Sequence, residues 1–451
     1  MTELLSIVLA AGEGTRMRSA LPKVLHPVGG LPIVGHVVRA ARSAGASRIA
    51  LITGPGHDSV RASVAALVPG VEFFEQTERR GTAHAASMAR PMFEAAEGYI
   101  AVTYGDHPLL RSPNFSGVLD RLDAGMDAAI LGFEPIDPTG YGRFITDGDR
   151  LLAIREHKDA SEVERRIGLC NACILAFRAP VFRELIDKVQ PNNSQGEFYL
   201  TDLVELANAA GYKVGYSVAP EADVLGVNDR SQLARAESLF QDTQREAFMK
   251  AGVTLKDPSS VYFSWDTEIG QDVTIFPNVV FGPGVKIAAG AEIRAFCDIE
   301  DAIIGEGASI GPFARIRGGT ELGRDVHLGN FVEVKKSVLH DGVKAGHLAY
   351  LGDAEIGAAT NIGAGTITAN YDGVNKSRTV IGERAFIGSN SVLVAPVTVG
   401  DGAYVATGAV VTKDVEPDAL AIGRARQENK PGYAPRLRAR AQAIKAAKAA
   451  K

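Results

Sequence analysis

From Ile269 onward the chain repeats itself every six residues. IGQDVT, IFPNVV, FGPGVK, IAAGAE and IRAFCD follow one another without interruption. After a one-residue slip the series resumes at Ile304 as IGEGAS, IGPFAR, IRGGTE, LGRDVH and LGNFVE. It returns as IGAATN and IGAGTI, then as IGERAF, IGSNSV, LVAPVT, VGDGAY and VATGAV. One such unit cannot bury its apolar side alone and does so only by stacking on copies of itself, so about fifteen hexads demand a solenoid. An aliphatic opens every hexad but FGPGVK and small residues follow, which suits a narrow interior; aromatics make up only 7% of the chain. Two stretches depart from the pattern. One is the insertion TANYDGVNKSR between Thr368 and Arg378. The other is FVEVKKSVLHDGVKAGHLAYLGDAEIG, where the period falters and His347 appears.

The repeat resembles the hexapeptide repeat of left-handed parallel β-helices, in which each hexad makes one flat side of a triangular coil. Residues 253–437 are expected to form that domain. The first 228 residues have another grammar: strand-like runs (LLSIVLA, RIALITG, YIAVTYG, DAAILGF, ACILAFR) alternate with helix-like stretches such as VGHVVRAARSAG. Such alternation predicts a doubly wound, Rossmann-like α/β domain over residues 1–228, with ligands at the carboxyl ends of its strands. Between the two, residues 229–252 lack internal Gly and Pro and read as a connecting helix. The segment 438–451 reads as a basic, Ala-rich, solvated tail.

Acids and bases are nearly balanced, 53 against 48, which gives no bulk argument for nucleic acid or for a membrane surface as partner. No run approaches the roughly 20 apolar residues of a membrane span, so the chain is expected to be cytoplasmic, without membrane insertion. Cys170, Cys173 and Cys297 cannot make a disulfide framework. The Cys170/Cys173 pair lies in an alternating run with no second CxxC or His cluster to complete a zinc site, and reads as buried strand.

LAAGEGTRM, Leu9 to Met17, follows a strand and lacks the Lys-Ser/Thr ending of a Walker loop. Its glycines let the backbone approach a phosphate, while Arg16 and, in LPKVLHPV, Lys23 supply positive charge. Together the two strings resemble the signature of sugar-1-phosphate nucleotidyltransferases. EQTERRGTAHA, VTYGDHPLL, YGRF, REHKDA, CNAC and GVNDR then follow in order. The whole series is similar to the uridyltransferase half of the bifunctional family that makes UDP-N-acetylglucosamine. The resemblance implies that Gln76, Gly81 and Thr82 hold uracil with backbone contacts from Leu9, Ala10, Ala11 and Gly12. Tyr104 and Gly105 complete the nucleotide site; Gly142, Glu156 and Asn171 hold the N-acetylglucosamine moiety; Asp106 and Asn228 bind Mg2+. The phosphate nucleophile needs no general base, so charge neutralisation by Arg16, Lys23 and the metal is the catalytic requirement. Glu13 stands where lysine is common and should point away from the triphosphate.

VEVKK, KAGHLAYLGD and NIGAGTITANYDG resemble the glucosamine-1-phosphate acetyltransferase half of the same family. Transfer from acetyl-CoA to an amine requires a base, and imidazole suits that role near neutral pH; the resemblance points to His347. It implies Arg317, Glu333, Lys335, Tyr350, Asn361 and Lys376 around glucosamine 1-phosphate, with Glu333 orienting the amine. It also implies Ala364, Asn370, Tyr371, Ser389, Thr407 and Arg424 around CoA, with Thr407 in place of the usual alanine. His327 and His340 read as structural. The resemblance further implies a homotrimer through the β-helix, small-molecule substrates, Mg2+, and UTP and acetyl-CoA as co-substrates. Two rivals remain: a nucleotidyltransferase whose β-helix is not catalytic, and a nucleotide-sensing scaffold without catalysis.

Overall fold

The computed structural model describes residues 2–449. The chain divides into two compact units, Met1–Lys250 with Tyr262–Thr267, and Ala251–Val261 with Glu268–Lys451.

The first unit is built on one nine-stranded sheet. Its strands are β1 (Leu4–Ala10), β2 (Arg48–Thr53), β3 (Val71–Glu75), β4 (Tyr99–Tyr104), β5 (Ala128–Phe133), β6 (Arg143–Asp147), β7 (Arg150–Arg155), β8 (Cys170–Arg178) and β9 (Val214–Ala219). They lie in the order β3-β2-β1-β4-β8-β5-β9-β7-β6. β1 pairs in parallel with both β2 and β4, so the carboxyl ends of three strands emerge at one edge. β8 departs from a purely parallel doubly wound sheet: it runs antiparallel to β4 and β5. Alternate residues of the strands feed two cores on opposite faces, one with Val8, Leu51, Ala101 and Ile174, the other with Ile7, Ile52, Val102 and Leu175. Burial on both faces is why these runs read as continuously apolar.

The connecting helix spans Arg230–Lys250 and packs on this unit, with Ala236 buried in a small cluster beside Val28, Ile33, Leu225 and Val227. The Tyr262–Thr267 segment is fastened to it by a reciprocal pair: Gln241 Nε2 donates to Phe263 O (2.7 Å) and Phe263 N donates to Gln241 Oε1 (2.8 Å).

The second unit is a β-helix of three parallel sheets of ten, eight and eight strands, each strand pairing with those one coil before and after it. Ile310, Leu328, Ala345 and Ile362 stack in register on the ten-stranded sheet, in steps of 18, 17 and 17 residues. All four are buried. The reason for a period of six lies in the backbone. The fourth residue of the matching hexad in successive coils takes a left-handed φ: Phe296 (62°), Phe313 (55°), Phe331 (57°), Leu348 (49°) and Gly365 (75°). A left-handed residue turns the chain sharply, so each hexad is a short strand plus a corner. Glycine adopts that φ freely, and the other residues do so against steric cost that the stacked coils repay.

This register corrects the reading of VKAGHLAY as a break in the repeat. AGHLAY is a regular hexad whose inward aliphatic has shrunk to Ala345, and His347 occupies its third position, directly above Asn330 of the preceding coil. The chain ends in an exposed helix, Tyr433–Ala449, which takes in the basic tail up to that point.

Candidate active sites

In the α/β unit the Gly-rich string bends into a short 3-10 turn, Thr15–Met17, immediately after β1. Gly14 has φ of 63°, and a Cβ there would lie 2.5 Å from Lys23 Cβ. Only glycine therefore lets the loop close over Lys23. The Lys23 ammonium lies 2.5 Å from Asp106 Oδ2 and 3.0 Å from Asn228 Oδ1. Asp106 is delivered by the end of β4, where Gly105 N donates to Leu9 O (2.8 Å) and Val227 N donates to Asp106 O (2.9 Å). These bonds fix the backbone carrying the carboxylate relative to β1 and to Asn228. Burial alone would push the Asp106 carboxyl up; the charges of His107 and Lys23 and their hydrogen bonds outweigh it and hold the group well below the usual carboxylate range.

A cavity of about 490 Å³ opens beside this cluster, lined by Gly12, Gly14, Arg16, Lys23 and Asn228 among others. A second, of about 240 Å³, is lined by Leu9, Ala11, Gly12, Gln76, Gly81, Thr82 and Tyr104. Gly12 lines both, so the predicted base pocket and the predicted phosphate loop adjoin. Gln76 is buried and donates through Nε2 to Gly81 O (3.1 Å). Gly81 has φ of 116°, and a Cβ would meet Phe198 O at 2.5 Å. Thr82 Oγ1 accepts from Leu200 N (2.8 Å), and burial pushes the Tyr104 phenol up, keeping it neutral.

Gly142, Glu156 and Asn171 also converge. Asn171 N donates to Gly142 O (2.9 Å), and a Cβ on Gly142 would stand 3.4 Å from Glu156 Oε1. Glu156 accepts from the Thr201 hydroxyl (3.1 Å), and burial raises its pKa against that hydrogen bond.

The β-helix builds its constellation by stacking. Asn330, His347, Ala364, Ser389 and Thr407 all occupy the third hexad position, two residues after Leu328, Ala345, Ile362, Ile387 and Val405 in the register of one sheet. They form one column along a corner. His347 is exposed, and its Nδ1 lies 2.9 Å from Asn330 Oδ1. Around the corner, on the eight-stranded sheet, Glu333 stacks on Tyr350 and Arg317 on Lys335. Arg317 Nη1 donates to Glu333 Oε1 (2.9 Å). The insertion folds back through a Tyr371↔Lys376 bridge and brings Lys376 into contact with Lys335. That contact and the Lys335 charge lower the Lys376 pKa. Two ammonium groups held together with a guanidinium nearby make an anion site. Asn370 donates to Asp353 at the root of the same insertion, and Arg424 Nη1 donates to Thr407 O (2.6 Å). Asn361 lies on the ten-stranded sheet that carries His347, in register with Lys344 of the preceding coil. Tyr371 is also exposed, with its hydroxyl bonded to Gly373 O (2.5 Å).

Residues 6–167 match the MobA-like NTP transferase domain, and residues 301–336 and 378–413 match the bacterial transferase hexapeptide of six repeats. Over the full length the chain is 51% identical to the bifunctional protein GlmU of Sinorhizobium medicae (strain WSM419), covering 98% of this chain and 97% of that one. It is 49% identical to GlmU of Agrobacterium fabrum (strain C58 / ATCC 33970) and 48% identical to that of Bartonella quintana (strain Toulouse), with 98% of both chains covered in each case. The chain belongs to the GlmU family.

In this GlmU family member, sequence reasoning missed two groups. Arg79 donates through Nε to Ala11 O (2.9 Å) and pairs with Glu13, so the acid that replaces the usual lysine is neutralised by a neighbour, and Arg79 lines both cavities. The doubled Arg in EQTERRGTAHA was the available signal. His107, next in sequence to Asp106, sits with Nδ1 at 2.7 Å from Asp106 Oδ1. Burial would lower its pKa, but Cys173 and Asp106 push it up to about 10. Cys173, read from sequence as ordinary strand, has φ of 78° at an irregularity in β8.

Proposed function

We propose that the chain catalyses two successive transfers, dividing the chemistry between its units as follows. At the β-helix the 2-amino group of glucosamine 1-phosphate attacks the thioester carbonyl of acetyl-CoA. The C–N bond forms as the amine proton passes to His347, the C–S bond breaks, and the departing thiolate takes that proton so that CoA leaves as the thiol. At the α/β unit a phosphate oxygen of N-acetylglucosamine 1-phosphate attacks the α-phosphorus of UTP. The bond to the β-phosphate breaks, pyrophosphate leaves, and UDP-N-acetylglucosamine remains.

The observation that favours two activities over a scaffold is the corner of the β-helix. A purely structural coil has no need of an exposed imidazole in line with Asn330, beside two neighbouring lysines and Arg317. Lys335, Lys376 and Arg317 are assigned to the sugar phosphate with Tyr350 and Asn361, and Glu333 to the amine. The column Ala364, Ser389 and Thr407, with Asn370, Tyr371 and Arg424, is assigned to CoA. Asn330 holds His347 Nδ1 and so leaves Nε2 to accept the proton.

In the α/β unit, Gln76, Gly81 and Thr82 take uracil with Leu9, Ala10, Ala11 and Gly12. Tyr104 and Gly105 close the base pocket, Arg16 and Lys23 neutralise phosphate charge, and Gly142, Glu156 and Asn171 hold the acetylated sugar. A divalent cation fits this site on one observation: the Asp106 carboxylate and the Asn228 amide oxygen already converge on a cation, the Lys23 ammonium. Among the described residues no group of three or more His, Cys, Asp or Glu could hold a metal. Two protein oxygens suit Mg2+, which keeps waters and takes phosphate oxygens for its remaining positions. Asp106 and Asn228 would hold the ion, which when bound neutralises triphosphate charge.

No helix among the described residues is long and apolar enough to cross a membrane; we assign the reactions to the cytoplasm. We assign a homotrimer to the β-helix, supported by an exposed aromatic ladder, Phe296, Phe313 and Phe331, whose rings stack at 4.8 and 5.2 Å. This apolar ridge continues to Leu348, next to His347, and would be covered by a neighbouring copy. Mixing His347→Ala chains with chains altered at Arg424 should restore acetyl transfer if sites are shared between copies.

The decisive experiment follows free CoA thiol and pyrophosphate separately with glucosamine 1-phosphate, acetyl-CoA, UTP and Mg2+. Wild type is expected to release both. His347→Ala should lose CoA release by roughly a hundredfold or more and still release pyrophosphate when given N-acetylglucosamine 1-phosphate. Wild type that never releases CoA would reduce the β-helix to a scaffold.

A further inference from the structure

We propose that His107, braced by Cys173, is a positioning residue that fixes the rotation of the Asp106 carboxylate in the uridyl-transfer site. The inference rests on the reading of Asp106 as a metal-binding residue.

The two oxygens of Asp106 are divided between two neighbours. Oδ2 meets the Lys23 ammonium at 2.5 Å, the point on which Asn228 also converges, and Oδ1 meets His107 Nδ1 at 2.7 Å. Backbone bonds to Leu9 and Val227 already fix the chain on either side, so the side-chain torsion is the remaining freedom. The imidazole restrains it from the side opposite the cation.

The imidazole is itself held. Its ring lies against the backbone of Gly226, where an added Cβ would stand 3.0 Å from Nε2. The Tyr104 ring is 6.1 Å away. From β8 the Cys173 side chain comes near enough to the imidazole to act on its charge. Cys173 is buried, and its φ of 78° is a conformation that residues other than glycine adopt at a steric cost. That conformation coincides with the register shift between Asn171 and Leu175, where the strand bulges; bulges commonly redirect a side chain next to a site. The bulge thus serves two purposes, presenting Asn171 on one side and the thiol on the other. Partners that orient a metal-binding group commonly change metal affinity or activity by about 10–100-fold when removed.

The test compares His107→Leu, which keeps bulk without a donor, with His107→Asn, whose amide nitrogen can take the place of Nδ1. Asp106→Asn and Cys173→Gly accompany them. Mn2+ binding in the presence of UTP is read by electron paramagnetic resonance, and the Mg2+ concentration for half-maximal pyrophosphate release is measured alongside. Acetyl transfer by the same chain reports that each variant is present at the right concentration, and far-UV circular dichroism against wild type reports that its α/β unit is folded. His107→Leu is expected to weaken Mn2+ binding about 10- to 100-fold, His107→Asn by less than about threefold, and Cys173→Gly to fall between them. Wild-type Mn2+ binding in His107→Leu, or equal losses in the Leu and Asn variants, would overturn the proposal by making His107 a space-filler. Undiminished Mn2+ binding in Asp106→Asn would instead remove the metal-site reading on which the proposal rests.

Discussion

The two units assemble their sites by opposite rules. In the α/β unit the residues around the cavities come from positions as far apart as Gly12, Gln76, Asp106 and Asn228, joined only because strand ends and the loops after them meet at one edge of a sheet. In the β-helix the column Asn330, His347, Ala364, Ser389 and Thr407 advances by one coil at each step. A site of the first kind depends on loop backbone held in unusual conformations; one of the second kind depends on register. Changes to a loop should therefore damage one activity sharply, while changes along the column should act locally and in proportion to what each position touches.

The largest separation of the two units is expected from Arg16→Ala. Loss of one preorganised positive group should slow pyrophosphate release by roughly a hundredfold or more while acetyl transfer stays within experimental error. Near wild-type uridyl transfer in that variant would falsify the assignment of the loop.

Gly81→Ala tests backbone conformation instead of charge. At φ of 116°, with Phe198 O 2.5 Å from the new Cβ, it should destabilise the α/β unit by about 1–3 kcal/mol and raise the KM for UTP. Thermal unfolding followed with both activities should show uridyl transfer lost first. Simultaneous loss at an unchanged temperature would mean that the loop is not strained by the methyl group.

On the β-helix, a smaller effect of pH is expected. Contact with Lys335 and its charge lower the Lys376 pKa, so its ammonium is present at low pH and is lost on alkalisation earlier than that of an ordinary lysine. The KM for glucosamine 1-phosphate should rise several-fold towards the alkaline limit. Lys376→Arg, which stays charged, should flatten that rise; a pH profile identical to wild type would remove Lys376 from the phosphate site.

The smallest change should come from Thr407→Ala. Thr407 is exposed and its carbonyl, not its hydroxyl, accepts from Arg424. Removing the hydroxyl should alter the KM for acetyl-CoA by less than about threefold, as expected for a solvent-facing group. A tenfold change would show that the threonine side chain contacts CoA directly.

How far each site could be read in advance follows from the same contrast. Period six announced the β-helix because an inward aliphatic and a left-handed corner recur in every hexad, and both leave a mark on composition. His347 looked out of phase only because Ala345 fills the inward position less visibly than Ile or Leu. In the other unit β3 and the β6-β7 hairpin went unread: VEFFE is half polar, and the hairpin turns around Gly148 with no long apolar run. β8 was legible as a strand, but its antiparallel direction is decided by neighbours far away in sequence. His107 and Cys173 were hidden for a related reason. Nothing in DHP or CNAC tells that the imidazole and thiol meet, since a bulge in one strand brings them together.

The third-position column can also be regarded as a ruler. Adjacent strands lie about 4.7–4.9 Å apart, so from His347 through Ala364 and Ser389 to Thr407 the corner measures roughly 14 Å in three equal divisions. A long, flexible acyl carrier laid along it would have its reactive end indexed to the imidazole by counting coils.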